Sequence, residues 1–376
     1  MNPRGRTGPG HPPSEPEAIE VLVVDDSAVI RQRLKSIIES DGRFRVVLAA
    51  DPYEAVERLK IAVPGVIVLD VEMPRMDGLT FLKKLMRQHP MPVVLCTTQA
   101  ERAVTALEMG AIEVIPKPNW NDAGRLSEWS RNLLESVGNA ARAGRLPLRE
   151  DRHAATADPR YTADVILPRH PHVRHGGQSE RIIAIGISTG GVQALHQLLP
   201  RFNASSSGIV IVQHMPPEFI SAFAQRLDND PEIALEVAEA RQHDPVRPGR
   251  ALVIPGDKHG LIRRSGAGFR VELVDGPPVC RHRPSAEVLF RSAAQAAGPF
   301  AAGVIMTGMG DDGALGLLEM REAGALTIAQ NEATCTVFGM PREAIRRGAA
   351  KAVAPLDAIA ATIMGWAASS DPGTWH

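Results

Sequence analysis

Cysteine is scarce in this chain, and its scarcity excludes two classes of protein. The 376 residues include 3 cysteines, Cys96, Cys280 and Cys335, which stand far apart and are odd in number. Such spacing offers neither a disulfide framework nor the paired ligands of a structural zinc site. We therefore interpret them as packing residues of a protein in a reducing compartment, and we expect a cytoplasmic location.

An excess of charge and long apolar runs are also lacking. The chain has 42 Lys and Arg against 43 Asp and Glu, a formal net charge of -1 at pH 7. This balance provides no electrostatic footprint for nucleic acid, and without a run of about 18 apolar residues we expect no membrane insertion. Residues 1–18 are rich in Pro, Gly and Arg and lack the apolar core of a signal peptide, which predicts a disordered tail.

The chain does have enough apolar residues, 44%, for two cores, and it is too long for one ordinary domain. Residues 138–180 show no sustained periodicity and carry Pro, Gly, Arg and His, which is typical of a flexible linker. Three histidines in this stretch could be a metal-binding tract, but their alternation with Pro and Arg favours a solvated coil. They are His170, His172 and His175.

The first half, residues 19–137, alternates short apolar runs with helical patterns. Five strand-helix repeats, from IEVLVV to LSEWSRNLLES, predict a doubly wound α/β domain with a five-stranded parallel sheet. In such a sheet, functional side chains gather beyond the carboxyl ends of the strands. The residues predicted at those ends are Asp25, Asp26, Asp70, Thr97 and Lys117.

Carboxylates, a hydroxyl and an ammonium on one edge have a specific chemical use. Close carboxylates repel each other, and Mg²⁺, which prefers oxygen ligands, can hold all three ionised. A metal-bound carboxylate can then accept a phosphoryl group, whose oxygens the lysine and the hydroxyl would contact. Structural explanations also exist, because Asp25 and Asp26 could cap a helix and Lys117 could be a surface charge. The coincidence on one edge favours function.

The motifs VVDDS, VIVLDVEMPRMDG and PKP, with the isolated Thr97, resemble the receiver domain of two-component response regulators. The resemblance implies that Asp70 is the phospho-acceptor and that Thr97 and Lys117 sense the phosphoryl group. It also implies a Mg²⁺ site made by Asp25, Asp26, Asp70 and the backbone carbonyl of Glu72.

The second half, residues 181–370, begins again with RIIAIGIS and predicts a second doubly wound α/β domain with a mostly parallel sheet. The stretch GLIRRSGAGFRVELVDG predicts a β-hairpin within it. Ser188, His214 and Asp312 each follow an apolar run, so all three are expected on one carboxyl edge of the sheet.

Two glycine patterns in this half have rival meanings. The sequence G-x-S-x-G around Ser188 resembles a nucleophile elbow. Residues 308–313 match G-x-G-x-x-G, and Glu332 lies about 20 residues on, as in a dinucleotide-binding site. However, Asp311 and Asp312 would repel a pyrophosphate at that helix start. The same position would keep a carboxylate ionised, as a catalytic triad requires.

A serine hydroxyl is a weak nucleophile, so it needs an imidazole to take its proton and a carboxylate to orient that imidazole. His214, in VIVQHMP, is the best-placed base. The chain order Ser, His, Asp differs from that of α/β-hydrolases, which argues against that fold. Three other histidines compete for the role: His243, His259 and His282.

The motifs GISTGG, VQHMP, PGDKH, HRPS, TGMGDDG and AQNEATCTVFGMPREAI closely resemble the catalytic domain of chemotaxis protein-glutamate methylesterases, over residues 181–365. A receiver followed by this domain is also the family's architecture. The resemblance implies Ser188 as nucleophile, His214 as base and Asp312 as the orienting carboxylate, with an oxyanion hole at the amides near Thr189 and Met309. It implies no cofactor for ester hydrolysis.

The resemblance also implies partners and regulation. Expected substrates are γ-glutamyl methyl esters, and in some members glutamines, on the cytoplasmic domains of methyl-accepting chemoreceptors. The expected phosphodonor is a chemotaxis histidine kinase, and the unphosphorylated receiver is expected to inhibit the hydrolase in cis. Two alternative functions stay open: a non-catalytic response regulator whose second half binds a partner, and a nucleotide-dependent oxidoreductase.

Overall fold

The structure is a computed structural model that describes residues 18–120, 122–144, 161–170 and 180–369. Residues 1–17 of the tail expected over residues 1–18, and most of the expected linker, including His172 and His175, lie outside these residues. Within the described ranges, no helix is long and apolar enough to cross a membrane.

The first half forms a five-stranded parallel sheet, as predicted, in the order β2-β1-β3-β4-β5. Every residue of β3 and β4 is buried, as expected for a parallel sheet covered by helices on both faces. The strands are β1 Ile19–Val24, β2 Phe44–Ala49, β3 Val66–Asp70, β4 Val93–Thr97 and β5 Glu113–Pro116. The helices are α1 Ala28–Glu39, α2 Pro52–Ile61, α3 Gly78–Gln88, α4 Ala100–Glu108 and α5 Ala123–Ala143.

Polar side chains start most of these helices. Ser27, Asp51, Asp77 and Asp122 each accept a hydrogen bond from a backbone N–H of the first turn of α1, α2, α3 and α5, respectively. Such N-caps satisfy donors that have no partner within the helix. They fix where each loop between a strand and the following helix ends. These loops lie at the carboxyl edge of the sheet, where the predicted polar side chains gather.

The second half contains a seven-stranded sheet in the order β15-β14-β13-β6-β7-β10-β8, and all of its pairs are parallel. Its strands are β6 Ile182–Ile187, β7 Gly208–Gln213, β8 Glu236–Glu239, β10 Arg250–Val253, β13 Ala301–Ile305, β14 Leu326–Gln330 and β15 Ala352–Ala354. The predicted hairpin is present as β11 His259–Ser265 and β12 Gly268–Val274, joined by β9 Pro245–Val246.

Helices cover both faces of the larger sheet. They are α6 Gly191–Leu198, α7 Pro217–Asp228, α8 Ala286–Ala297, α9 Ala314–Glu322, α10 Met340–Arg346 and α11 Leu356–Ala368. Buried residues of α8, α9 and α10 share one core cluster, and those of α6, α7 and α11 share another. From β6 the chain proceeds to β7 on one side, whereas β13 lies on the other side. A crevice at such a reversal of strand order is the usual ligand site of open α/β sheets.

The segment between the halves is not uniform. Helix α5 runs to Ala143, past the expected domain boundary at residue 137. Residues 161–170 pack against the second half, where Ala163 and Leu167 are buried with Val279 and Val288. The guanidinium of Arg291 donates to the carbonyl oxygen of Leu167 at 3.0 Å. His170, by contrast, is exposed, as expected for a solvated residue.

Candidate active site and phosphorylation site

The polar edge of the first sheet brings the predicted side chains together. Asp70 ends β3 and is 1% exposed, and the ammonium of Lys117 lies 2.8 Å from its Oδ1. Burial lowers the pKa of Lys117, but its hydrogen bond and ion pair with Asp70 outweigh burial and raise it. Thr97, at the end of β4, is fully buried, and its Oγ1 accepts the backbone N–H of Gln99 at 3.1 Å.

The acidic residues of this edge fit a divalent cation. One carboxylate oxygen from each of Asp25, Asp26 and Asp70 lies within 4.8 Å of the others. Burial raises the pKa of Asp70, and raises that of Asp25 to about 6, because desolvation opposes their charge. Oδ2 of Asp70 is buried without a hydrogen-bond partner among the described residues. Mg²⁺ would satisfy that oxygen and offset the repulsion; the Glu72 carbonyl stays a predicted ligand.

Close packing explains the glycines around Ser188. Gly190 has φ +79°, in the left-handed region, and a Cβ there would lie 2.4 Å from Oγ1 of Thr336. A Cβ at Gly308 would lie 2.6 Å from Cβ of Ser188. The first glycine of the second pattern therefore packs against the serine turn.

Strand register places Ser188 beside His214. Ile187 pairs with Gln213 at the carboxyl ends of β6 and β7, so the next residue of each strand is Ser188 and His214. The backbone N–H of His214 donates to the carbonyl oxygen of Ile187 at 3.0 Å. The Gln213 amide donates to the carbonyl oxygens of Ser188, at 3.1 Å, and His214, at 3.0 Å. These bonds fix the two adjacent loops.

His214 and Asp312 form a direct pair. Nε2 of His214 lies 2.8 Å from Oδ2 of Asp312, and the two side chains are 8% and 0% exposed. An ionised carboxylate only accepts, so Nε2 carries the proton and Nδ1 is left as the basic nitrogen. Nδ1 is buried and has no hydrogen-bond partner among the described residues. The imidazole is thus in the tautomer that can accept a proton.

Asp312 stays ionised although it is buried. Its Oδ1 accepts from Oγ of Ser285 at 2.6 Å and from the backbone N–H of Glu287 at 3.1 Å. Its Oδ2 also accepts from the N–H of Ala286 at 2.7 Å. Burial opposes the charge, but the hydrogen bond from His214 and the other donors hold the pKa of Asp312 below its usual value.

The competing histidines are placed differently. His282 stacks on His214, with ring centroids 3.8 Å apart and planes at 6°. Burial lowers the pKa of His282 to about 3, so this ring is neutral. His259 is fully buried, and its Nε2 donates to the carbonyl oxygen of Pro277 at 3.0 Å. His243 is exposed, and its backbone N–H donates to Val271. Of the four histidines, His214 alone pairs with Asp312.

The first half touches both residues predicted for the oxyanion hole. Oγ1 of Thr189 donates to Oε1 of Glu113, in β5, at 2.5 Å. A guanidinium nitrogen of Arg142, in α5, donates to Sδ of Met309 at 2.9 Å. Burial raises the pKa of Glu113. These contacts cover the serine turn, and sequence reasoning missed Glu113 because nothing local marks a contact between domains.

Helix α4 extends this contact along α6 and α7. The Glu108 carboxylate accepts two hydrogen bonds from Arg226, at 2.8 and 3.0 Å, and lies 3.1 Å from Nε2 of His196. The Gln193 amide donates to the carbonyl oxygen of Leu107 at 2.7 Å. Buried apolar residues of α4, α6 and α7 belong to one core cluster. The described halves therefore share an apolar, hydrogen-bonded interface.

Comparison with known proteins identifies the family. Residues 183–363 match the family described as CheB methylesterase, and residues 21–127 match the response regulator receiver domain. The chain is 53% identical to protein-glutamate methylesterase/protein-glutamine glutaminase 5 of Anaeromyxobacter dehalogenans (strain 2CP-C), over 93% of this chain and 97% of that protein. The chain belongs to the CheB methylesterase family.

Two further known proteins are similar to this chain. Protein-glutamate methylesterase/protein-glutamine glutaminase 2 of Xanthomonas campestris pv. campestris is 53% identical, over 91% of this chain and 99% of that protein. The crystal structure of the Thermotoga maritima CheB methylesterase catalytic domain is 34% identical and covers 50% of this chain and 98% of that one, with a TM-score of 0.48. The predicted family and its two-domain α/β architecture are confirmed.

Proposed function

We propose that this CheB-family protein hydrolyses γ-glutamyl methyl esters on methyl-accepting chemoreceptors, with Ser188, His214 and Asp312 as its catalytic residues. The observation that carries the proposal is the buried pair of His214 with Asp312, at the strand end beside Ser188. The names of its relatives, protein-glutamate methylesterases, support the ester as substrate.

The proposed chemistry follows from the free nitrogen of His214. Nδ1 accepts the hydroxyl proton of Ser188 as the oxygen attacks the ester carbonyl, and Asp312 stabilises the imidazolium that forms. The imidazolium then returns the proton to the departing methoxy group, which leaves as methanol. Water hydrolyses the acyl-enzyme in a second, mirrored step. The same attack on a glutamine amide releases ammonia, the second activity in the relatives' names.

The amides near Thr189 and Met309 are the proposed donors to the oxyanion. Both residues lie in loops next to Ser188, and the serine amide itself donates to the carbonyl oxygen of Thr307 at 3.0 Å. The hydroxyl of Thr307 in turn donates to the carbonyl oxygen of Thr189 at 2.9 Å. These bonds tie the two loops into one rigid unit, as preorganised donors require.

We further propose that a histidine kinase phosphorylates Asp70 and that phosphorylation relieves inhibition by the receiver. Mg²⁺ bound by Asp25, Asp26 and Asp70 would neutralise charge on the transferring phosphoryl group. Thr97 ends β4, just before α4, and Lys117 follows β5. Helix α4 carries Glu108, and β5 carries Glu113, so the elements that would sense the phosphoryl group also carry interface contacts.

The experiment is methanol release from membranes that contain methylated receptors. We expect Ser188→Ala in the full chain to abolish release, because the substitution removes the hydroxyl that is proposed to attack the ester. Ser205→Ala, in an exposed turn, is the matched control and should keep the wild-type rate. Release by Ser188→Ala at the control's rate would refute the proposed nucleophile.

A further inference from the structure

Glu287 is a buried carboxyl group that the proposed hydrolysis does not use. It lies in the first turn of α8 and is 1% exposed. Burial, with the nearby charge of Asp312, raises its pKa to about 7. Burying a carboxyl group is costly unless its oxygens find donors. Oε2 of Glu287 finds one in the backbone N–H of Leu315, at 3.2 Å, in the first turn of α9.

This bond completes an exchange between two helices. Asp312 lies two residues before α9, yet its oxygens accept the N–H groups of Ala286 and Glu287 at the start of α8. Glu287 lies in α8, yet it accepts an N–H group at the start of α9. Thus a carboxyl group at the start of each helix accepts backbone N–H groups at the start of the other helix, where the helix itself offers them no acceptor.

The two helices touch where the exchange takes place. A Cβ on Gly316, in α9, would lie 2.7 Å from the backbone oxygen of Glu287. One turn further along, the guanidinium of Arg291 donates to both carboxylate oxygens of Glu319, at 2.8 and 2.9 Å. The ion pair holds the bodies of α8 and α9 together. The Glu287 bond instead holds the turn that presents Asp312.

We propose that Glu287 is a positioning residue for the hydrolysis, because it ties the first turn of α9 to α8 and so fixes the Asp312 carboxylate against His214. The inference rests on the proposed catalytic role of Asp312. A misplacement of about 1 Å in a catalytic group can reduce the rate by about 10²-fold. The function of Glu287 is therefore to keep a 2.8 Å hydrogen bond in place.

The test compares two substitutions in the phosphodonor-activated full chain. Glu287→Met removes the acceptor but keeps an unbranched side chain of similar length, whereas Glu287→Gln keeps an acceptor oxygen. We expect Glu287→Met to lower kcat for methanol release by roughly 10–100-fold with KM changed less than about twofold. Glu287→Gln should recover most of kcat. If Glu287→Met does not fold, Glu287→Leu replaces it in the same comparison.

A double-mutant cycle separates positioning from loss of stability. In an Asp312→Asn background, Glu287→Met should lower kcat less than about twofold, because the carboxylate that it positions is already gone. Glu319→Gln, which weakens the ion pair between the same helices, should lower Tm but leave kcat within about twofold at temperatures below unfolding. Equal losses from Glu287→Met in both backgrounds, or a wild-type kcat for Glu287→Met, would overturn the inference. The proposed function fails separately, if Ser188→Ala stays active.

Discussion

His214 is held from three directions. Its Nε2 is bonded to Asp312, its ring stacks on His282, and its backbone N–H is bonded to Ile187. A neutral neighbour such as His282 restrains the ring without adding a second positive charge beside the imidazolium that the proposed mechanism forms. This restraint is what a general base needs, because proton transfer depends on geometry before it depends on pKa.

Adjacent carboxylates provide a residue-scale prediction. Asp312 accepts four hydrogen bonds at the site, whereas Asp311 is half-buried and faces the guanidinium of Arg347 at 3.6 Å. We expect Asp312→Asn to lower kcat by about 10³–10⁴-fold, because an amide cannot hold the required tautomer of His214. Asp311→Asn should cost less than about threefold, since half-exposed ion pairs contribute little. Steady-state methanol release measures both, and a reversed ranking would contradict the assignment.

At the scale of secondary structure, most of the site was predictable because parallel strands end on one edge. The order of apolar runs placed Asp70 and Thr97 at the ends of their strands and Ser188 just past its strand, and the structure has them there. Helix α11 and strand β15 were not predicted, although LDAIAATIMGWAA is strongly apolar and Trp366 is fully buried. Helix α11 is apolar almost throughout and has no polar face, so its sequence shows no helical period.

Contacts between distant segments could not be predicted. The bonds from Thr189 to Glu113 and from Leu315 to Glu287 join residues that no local period or motif relates. Residues 161–170 pack on the second half by burying Ala163 and Leu167. The polar composition of the surrounding linker gave no indication of this packing. The domain limits 19–137 and 181–370 therefore stay predictions, and tests of regulation are best made on the full chain.

The contact of β5 with the loop between β6 and α6 predicts a pH dependence of the proposed inhibition. Glu113 faces Asn139, Ser136 and Glu135 from α5, and Thr189 and His214 from the second half. Burial raises its pKa in the closed arrangement, so closing takes up a proton. Between the ordinary pKa of a glutamate and the raised pKa of Glu113, the closed arrangement becomes less stable as pH rises. Above the raised pKa, Glu113 is ionised in both arrangements, so its effect on their balance no longer depends on pH.

We therefore expect the ratio of the unphosphorylated rate to the phosphodonor-activated rate to increase with pH across that window. Taking the ratio at each pH cancels effects that are common to the two forms. Glu113→Gln, which cannot ionise, should flatten the ratio, whereas Glu128→Gln, exposed on α5, should not. The same slope in Glu113→Gln and in the wild type would assign the dependence to another group.

For the whole molecule, two chemistries are separated in space. The carboxylates that fit Mg²⁺ belong to the first sheet, and the proposed triad belongs to the second. The halves meet through α4, β5 and α5, which pack against or bond to the loops and helices around Ser188. We therefore expect phosphorylation to act on hydrolysis by shifting the balance between closed and open arrangements of the two halves.

Removal of Mg²⁺ tests this separation. Chelation should abolish activation by a small-molecule phosphodonor, because Asp25, Asp26 and Asp70 then lack the cation that offsets phosphoryl charge. The rate without phosphodonor should stay the same within about twofold, since the proposed ester hydrolysis uses only side chains and water. Added Mg²⁺ should restore activation. A parallel loss of the unphosphorylated rate would show that the hydrolase itself needs a metal.

The most direct test of a receiver-controlled methylesterase is methanol release from methylated receptor membranes by the full chain, with and without a phosphodonor, for the wild type and Asp70→Asn. We expect the phosphodonor to raise the wild-type rate by about 5- to 150-fold, the usual range of coupling between sites, and to leave the rate of Asp70→Asn unchanged. No methanol from the activated wild type, or an equal response in Asp70→Asn, would contradict a receiver-controlled methylesterase.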